Sequence, residues 1–275
     1  MQTLAALCAL LSLLFSAHAD VVERFEVCFF SSSIQISNIS KVCLAEGFQE
    51  TAVMLFHFAT LYDTNHRIAV YSAYQFEPSS GGGRENRWFV EPQLVNDGWQ
   101  AEMKDGYWLG QDYPDIYLGE KQALNEDYTN SGFDRGHLNP NGHHPVPSRN
   151  ATFTLTNVCP QNPKMNQDAW RIHESDLTTL FLEKCSKAYV LVGTVPSADN
   201  WIVKNNVKRV NIPDYVWNAY CCVDNNDQPI QSGAGTARNT EENYVVKRSL
   251  DELGAFLQQF SNEPVGELFY NNCRA

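Results

Sequence analysis

Two neighbouring apolar runs constrain the fold of this chain more than any other feature. Residues 55–62 and 68–76 are rich in β-branched and aromatic side chains, and the polar residues 63–67 separate them. Runs of this kind around a short polar segment are typical of a β-hairpin. We therefore predict two strands joined by a polar turn.

The later elements follow without regular strand–helix–strand alternation. Asn162-Pro163 is a helix-start signal, and Ser249 and Glu252 form a capping-box pattern that opens a second helix. The sequence predicts a helix over residues 164–185 and buried strands over 188–195 and 214–223. This order predicts an α+β fold with a central, mainly antiparallel sheet flanked by helices, in one domain over residues 20–275.

Composition limits the classes of function. The chain has 275 residues, 43% of them hydrophobic and 19% charged, which is typical of globular proteins. Its net charge of −12 argues against a protein that coats nucleic acid through overall positive charge. A nuclease is still compatible with this charge, because positive groups can be confined to one cleft.

The N-terminus has the pattern of a secretory signal. The apolar run over residues 4–15 is too short to span a bilayer, and Ala17-His18-Ala19 offers small residues for cleavage. We predict that residues 1–19 are a removed signal peptide and that the protein is secreted without a transmembrane anchor. A buried N-terminal helix is the alternative interpretation.

Export would favour disulfide bonds. Removal of Cys8 from the eight cysteines would leave seven, so at least one should be free or should link two chains in a homodimer, unless a vicinal bond forms. Cys28 and Cys43 are close enough along the chain for a local bridge. Two glycosylation sequons, at Asn38 and Asn150, are expected on exposed loops.

Three sequence blocks in a fixed order carry the functional information. They are Gly-Phe-Asp-Arg-Gly-His-Leu at 132–138, Thr-Asn-Val-Cys-Pro-Gln at 156–161 and Met-Asn-Gln-Asp-Ala-Trp at 165–170. Together they resemble the DRGH family of DNA/RNA non-specific endonucleases, whose site is a ββα-metal (His-Me finger) motif. Residues 58–62 and 67–74 further resemble the N-terminal pattern of the vertebrate endonuclease domain-containing 1 proteins.

The resemblance implies a base, a metal ligand and an acidic helper. His137 suits the base, because a neutral imidazole can accept a proton from water at physiological pH. Asn166 is the implied ligand of Mg²⁺, with Mn²⁺ as the alternative ion, since a hard cation that keeps most of its waters needs few protein oxygens. Glu174 would reach the ion through a water, although eight steps of an α-helix place it about 80° from Asn166.

Four further side chains complete the predicted site. Arg87 is the candidate for the scissile phosphate and Arg84 is the runner-up, because a guanidinium can make two bonds to phosphate oxygens. Asn157 is expected to fix the local backbone and the orientation of the histidine. Arg135 shares a strand face with His137 and is expected to be a structural partner within the motif, as is Asp134.

A water nucleophile would not need the ribose 2′-hydroxyl, so both DNA and RNA should be substrates. The resemblance implies products with a 5′ phosphate. One rival is a zinc site in which His143, His144 and His173 cluster with His137, although their spacing lacks a zinc motif. A rival from another class is an inactive extracellular protein that binds nucleic acid or a receptor through the same scaffold.

Overall fold

The computed structural model describes residues 19–22, 50–55, 58–79, 81, 85–146, 148–269 and 273–274, the first two segments by backbone alone. Its strands are β1 (Ala19–Val22), β2 (Glu50–Leu55), β3 (Phe58–Asp63), β4 (Ile68–Gln75), β5 (Phe89–Val90), β6 (Lys104–Asp105), β7 (Asp134–His137), β8 (Val158–Gln161), β9 (Lys187–Val195), β10 (Trp201–Lys204), β11 (Val207–Asn211), β12 (Tyr215–Val223), β13 (Pro229–Arg238) and β14 (Val246–Arg248).

The α-helices are α1 (Pro92–Val95), α2 (Gly106–Asp112), α3 (Asn125–Tyr128), α4 (Ser148–Ala151), α5 (Pro163–Met165), α6 (Arg171–Lys184) and α7 (Leu250–Leu257). A π-helical turn, Asn166–Trp170, joins α5 directly to α6. Short 3₁₀ turns occupy Asn141–His143, Leu155–Asn157 and Gln258–Phe260. The predicted helix and its Asn162 cap are thus confirmed, with the wider turn as an addition.

A large antiparallel sheet organises the molecule. Its order is β1-β2-β3-β4-β9-β12-β13-β14, and each neighbouring pair among the described strands is antiparallel. The predicted hairpin is confirmed as β3 and β4, although its first strand begins at Phe58 because Leu55 ends β2. The predicted α+β fold with a central antiparallel sheet is therefore confirmed.

The sheet separates two hydrophobic cores. On β9, Val190 and Val192 point into one core while Leu191 and Val195 point into the other, as the two-residue period of a strand requires. The first core contains side chains of α6 and β8 and of Leu138, which directly follows β7, whereas the second lies under α7. The side of the sheet that carries α6 also carries the three motif blocks.

The second core is closed by a well-capped helix. In α7, the Ser249 hydroxyl accepts a bond from the backbone N–H of Glu252 at 3.1 Å, and the Glu252 carboxylate accepts one from Ser249 N–H at 2.7 Å. Leu250, Leu253 and Leu257 are buried below it. The capping box predicted from the sequence is confirmed.

Two disulfides tie the sheet to other elements. Cys185, at the end of α6, pairs with Cys222, and Cys221 pairs with Cys273. The neighbours Cys221 and Cys222 take different partners because successive side chains of β12 point to opposite faces of the sheet. The vicinal bond considered from the sequence does not form.

The unpaired cysteine among the described residues is Cys159, which is buried in β8 and shows 0% exposure. A thiol enclosed in this way cannot reach a second chain, so a homodimer linked through it is not supported. The prediction of a local bridge between Cys28 and Cys43 lies outside the described residues.

The predicted signal peptide and one of the two glycosylation sequons lie largely outside the described residues. The signal-peptide residues 1–18 and the Asn38 sequon lie outside the described residues. Asn150 does not lie on an exposed loop as expected: it is half-buried in α4, and Thr152 of its sequon is fully buried. Among the helices that the structure describes, none combines the length and apolar character that crossing a membrane would require.

Candidate active site

The three motif blocks fold into one strand–strand–helix unit. Strands β7 and β8 pair antiparallel, with Asp134 opposite Gln161 and His137 opposite Val158. Asn162 then ends the hairpin and caps the helix, since its side-chain oxygen accepts a bond from Lys164 N–H at 3.0 Å. This unit places the histidine at the end of one strand and the candidate metal ligand on the first turns of the helix.

Aromatic rings enclose the half-buried His137. The ring of Trp88 lies 5.1 Å away between centroids, and Phe153 meets it edge-on at 4.9 Å. The two aromatic rings also contact each other at 5.2 Å. Residues far from the histidine in sequence therefore restrict the positions its imidazole can adopt.

Asn157 holds the backbone that follows His137. Its side-chain oxygen accepts a bond from Asn139 N–H at 3.0 Å, its amide nitrogen donates to the Asn139 carbonyl at 3.0 Å, and its carbonyl accepts from Leu138 N–H at 2.9 Å. Ser72 of the central sheet donates to the same side-chain oxygen at 2.9 Å. These contacts anchor the end of β7 to the sheet, which is the geometry expected of a residue that positions the histidine.

The side chain of Asn166 is oriented by Asp134. The amide nitrogens of Asn166 and Gln167 both donate to one carboxylate oxygen of Asp134, each at 2.8 Å. Because the nitrogen of Asn166 is thus engaged, its oxygen is the atom left to face a ligand. Asp134 lies three residues before His137 on β7, a span of about 10 Å.

The π turn changes how Asn166 and Glu174 are related. A π turn adds one residue to the helix without advancing its register, so eight residues behave as about seven α-helical steps. The angular offset between the two residues falls from the 80° expected of a regular helix to about 20°. Both side chains therefore belong to one side of the helix, which the sequence pattern alone did not reveal.

Glu174 is half-buried beside polar ring groups. Burial raises the pKa of its carboxyl to about 8, while the indole N–H of Trp170 lowers it. Burial, and then the charge of Glu174, raise the pKa of Tyr74 well above its usual value. The Tyr74 hydroxyl bonds to His143 Nδ1 at 2.9 Å, and His143 Nε2 donates to the Glu174 carbonyl at 3.4 Å.

Arg135 lies on the His137 face of β7, as predicted. Its guanidinium is 5.9 Å from the ring of Trp88 and 5.2 Å from that of Tyr128, and it donates to the carbonyl of Asn125 at 3.0 Å. Burial lowers the pKa of this arginine. Arg135 thus shares the Trp88 ring with the histidine, and its packing agrees with a structural partner of the motif.

Arg87 is exposed and pairs with a neighbouring carboxylate. Its exposed guanidinium makes two bonds to Glu85, both at 3.0 Å, and lies 5.3 Å from the Phe89 ring. The hydrogen bonds from Arg87 lower the pKa of Glu85 to about 2. A phosphate would have to displace this carboxylate to engage Arg87. Arg84 lies outside the described residues.

The histidines of the zinc hypothesis point to separate partners. Besides the contacts of His143, His144 Nε2 donates to the Asn139 side chain and His173 Nε2 donates to that of Asn218, each at 2.7 Å. Burial lowers the pKa of His143 to about 4 and also lowers that of His173. Each ring is held by its own amide or hydroxyl, so the proposed zinc cluster does not assemble.

The donor set fits a hard cation that keeps its own waters. Within the described ranges, no three histidine, cysteine or acidic side chains come together as a possible metal cage. The oriented amide oxygen of Asn166, with the carboxylate of Glu174 on the same side of the helix, is the kind of sparse oxygen set that suits Mg²⁺ or Mn²⁺. Burial favours the neutral form of the Glu174 carboxyl in the metal-free protein, and the positive charge of a bound ion would favour the ionised form.

Sequence reasoning missed the two aromatic neighbours of His137 and the orienting role of Asp134. Trp88 and Phe153 precede and follow the histidine by many residues, and aromatic content alone indicates a core. From the sequence, Asp134 was expected to be a structural partner within the motif, because its side chain points away from that of His137. Its position opposite Gln161, beside the start of the helix, was the signal that could have linked it to Asn166.

Known proteins resemble this chain in sequence and in fold. The family profile described as DNA/RNA non-specific endonuclease matches residues 38–262. The endonuclease domain-containing 1 protein of Homo sapiens is 34% identical over 230 residues, and that of Mus musculus is 31% identical over 224 residues, covering 78% and 77% of this chain. The chain spans only 41% and 42% of the length of these two relatives.

More distant proteins share parts of the pattern. Mitochondrial endonuclease G of Homo sapiens is 49% identical over 51 residues, which is 18% of this chain and 17% of that protein. A crystal structure of an EndoG/EndoGI complex matches the fold with a TM-score of 0.52 at 17% identity, covering 74% of this chain and 81% of that one. The resemblance inferred from the three motif blocks is confirmed, and the chain belongs to the DNA/RNA non-specific endonuclease family.

Proposed function

We propose that this protein is a secreted, metal-dependent endonuclease that hydrolyses the phosphodiester bonds of DNA and RNA with little sequence preference. The observation that carries the proposal is the strand–strand–helix unit, in which His137 ends a strand and Asp134 engages the amide nitrogen of Asn166, which leaves the amide oxygen for a ligand. Family membership supports nuclease activity in general. The ion, the base and the breadth of substrates are our inferences.

Each protein group has a distinct task in the proposed reaction. His137 accepts a proton from the attacking water, and its aromatic neighbours and the Asn157 anchor hold the ring in position. Asn166 would hold Mg²⁺ or Mn²⁺, and Glu174 would bind its water shell. The bound ion would neutralise charge on the phosphate and the departing oxygen.

Arginine would supply the second positive group. Arg87 is exposed and can exchange Glu85 for phosphate, since a solvent-exposed ion pair is weak. Arg84 is the alternative to Arg87 in this role. Because hydrolysis uses water, we expect both polymers to be cut, and the family resemblance implies products with a 5′ phosphate.

The test is digestion of plasmid DNA and of a folded RNA by the purified protein with Mg²⁺, with Mn²⁺ and with chelator. We expect both polymers to be cut, chelation to stop cutting, and His137→Ala to lower kcat by about 10² to 10⁴. His66→Gln, in the turn between β3 and β4, is the control and should retain activity. Nucleic acid that is bound but left intact by the wild-type protein would instead support the inactive binding protein.

Secretion is tested separately. The two disulfides among the described residues are compatible with an oxidising compartment. Expression of the full chain in cultured animal cells should deliver protein to the medium with Asp20 as its first residue. Protein that stays inside the cell with residues 1–19 still attached would contradict the predicted signal peptide. It would not affect the nuclease proposal.

A further inference from the structure

A buried carboxylate joins the two segments that supply the aromatic neighbours of His137. Trp88 lies just before β5, and Phe153 lies just before the 3₁₀ turn Leu155–Asn157. The backbones of these segments meet where Phe89 N–H donates to the Phe153 carbonyl at 2.9 Å. Glu91, two residues after Phe89, makes the side-chain connection.

Glu91 is only 1% exposed, and its bonds reach across to the second segment. One carboxylate oxygen accepts bonds from the hydroxyls of Thr154 and, at 3.3 Å, of Thr156. The two hydroxyl oxygens also lie 3.1 Å apart, so either threonine can donate to the other instead of to Glu91. Thr154 follows Phe153 directly, and Thr156 precedes Asn157, so the carboxylate holds both ends of the turn that contacts and anchors the histidine.

The backbone of Glu91 is fixed independently. Gln122 accepts a bond from Glu91 N–H at 2.9 Å and donates to the Glu91 carbonyl at 3.0 Å. The main chain of Glu91 should therefore stay in place when its side chain is replaced. The effect of a replacement then falls on the turn that contains Thr154 and Thr156. A carboxylate enclosed among hydroxyls is costly to bury compared with a neutral group of the same shape. Packing alone therefore does not explain why a carboxylate is buried at this position.

We propose that Glu91 is a positioning residue for His137, holding Trp88 and Phe153 at the spacing that keeps the imidazole oriented. Its consequence for catalysis rests on the function proposed above. Loss of the carboxylate would release the threonine turn and let the imidazole move between the two rings. A displacement of about 1 Å at a reacting group can lower a rate about a hundredfold.

The experiment compares Glu91→Ala, Glu91→Gln and Asn211→Ala. Glutamine keeps an oxygen for the Thr154 hydroxyl, whereas alanine removes it. Asn211 is a buried polar cross-link elsewhere, bonded to Ser197 at 2.9 and 2.7 Å, and it controls for general destabilisation. The first readout is the imidazole resonance of His137 in metal-free protein, assigned by its loss in His137→Ala. The second is kcat and KM on DNA.

We expect Glu91→Ala to shift the His137 resonance and to lower kcat by about tenfold or more with little change in KM. Glu91→Gln should restore both toward wild type, and Asn211→Ala should lower the Tm without moving either. An unchanged His137 resonance in Glu91→Ala, or an equal shift in Asn211→Ala, would overturn the proposal.

A further variant, at Thr154, tests the proposal if Glu91→Ala does not fold. Thr154→Val removes the hydroxyl donor while keeping the shape of the side chain, and it should shift the His137 resonance in the same direction. An unmoved resonance in this variant would count against the proposal. If the wild-type protein cuts no nucleic acid, the proposed function fails, while the resonance still decides whether Glu91 positions His137.

Discussion

At the scale of single residues, hydrogen-bond partners decide which atom of a side chain is available for chemistry. Asn166 could present either its oxygen or its nitrogen outward, and Asp134 settles the choice by accepting from the nitrogen at 2.8 Å. A carboxylate that orients a ligand in this way acts on metal affinity without touching the ion. Asp134 is therefore a positioning residue for the proposed metal site.

Asp134→Ala should weaken Mn²⁺ or Mg²⁺ binding by about 10- to 100-fold, because the Asn166 amide would be able to rotate. Binding of Mn²⁺ followed by titration calorimetry or electron paramagnetic resonance measures this directly. Asp176→Ala, on an exposed part of α6, removes the same charge from the molecule and is the matched control. Equal metal affinities of the two variants would contradict the orienting role of Asp134.

The buried carboxylate of Glu91 should also make stability depend on pH. Burial raises its pKa from the ordinary 4.5 to about 7, with the facing hydroxyls of Thr154 and Thr156 acting in the opposite direction. The folded protein then holds this proton more tightly than the unfolded chain. Its contribution to stability is fully present below about pH 4.5 and is lost as the pH rises to about 7.

We expect the free energy of unfolding of wild type, relative to Glu91→Gln, to fall by up to about 3 kcal/mol between these two pH values. Urea denaturation of both proteins across this range is the measurement. Comparison with Glu91→Gln removes the titration of all other groups. A difference that stays constant with pH would mean that Glu91 is ionised in the folded protein throughout.

At the scale of elements, the hairpin of β7 and β8 depends on close packing at a glycine. A Cβ atom on Gly136 would lie 2.0 Å from Cδ and 2.4 Å from Cγ of Gln161, whose side chain is fully buried. The sequence indicates a close approach at this glycine, and the structure shows that the approaching group is a side chain of β8. The strand that carries His137 therefore tolerates no side chain at this position.

Gly136→Ala should destabilise the protein by about 1 to 3 kcal/mol, because the buried side chain of Gln161 would have to shift to make room. It should also lower the proposed activity, because the hairpin must shift. Gly254→Ala in α7 is the opposite case: no atom lies within 4 Å of its added Cβ, and alanine favours a helix by about 0.5 to 1 kcal/mol. Denaturation midpoints that move in the same direction for both variants would contradict this account.

Element positions were largely predictable, whereas the π turn was not. Apolar periodicity and caps indicated the hairpin, the helix after Asn162 and the helix after Ser249, because these signals are local. The π turn has no local signature. It is visible only in the folded structure, and with it Asn166 and Glu174 share one side of the helix.

At the scale of the whole molecule, disulfides link the central sheet to the end of α6 and to the C-terminal segment. The cross-linked residues are 37 and 52 positions apart along the chain. Loops of this length restrict the unfolded chain substantially, and the chain-entropy relation assigns about 4 kcal/mol to each bond. Together they form a large share of the stability expected of a domain.

The double variant Cys185→Ala, Cys222→Ala should therefore be less stable than wild type by about 2 to 4 kcal/mol. Thermal unfolding of oxidised wild type, reduced wild type and the double variant measures this, and reduction should lower the Tm below that of the double variant.

Burial raises the pKa of Cys159 to about 12. A thiol reagent applied to the native protein should accordingly leave Cys159 unmodified, as judged by peptide mass.

The sequence by itself determined the family, the α+β class and the residue types of the site, because the three blocks and the apolar periodicities are local patterns along the chain. The tertiary structure alone decided the ion pair of Arg87 with Glu85, the different partners of Cys221 and Cys222, and the carboxylate that orients Asn166. It also placed Trp88 and Phe153 against His137. Such contacts depend on which side chains packing brings together and on the direction in which each strand or helix points them.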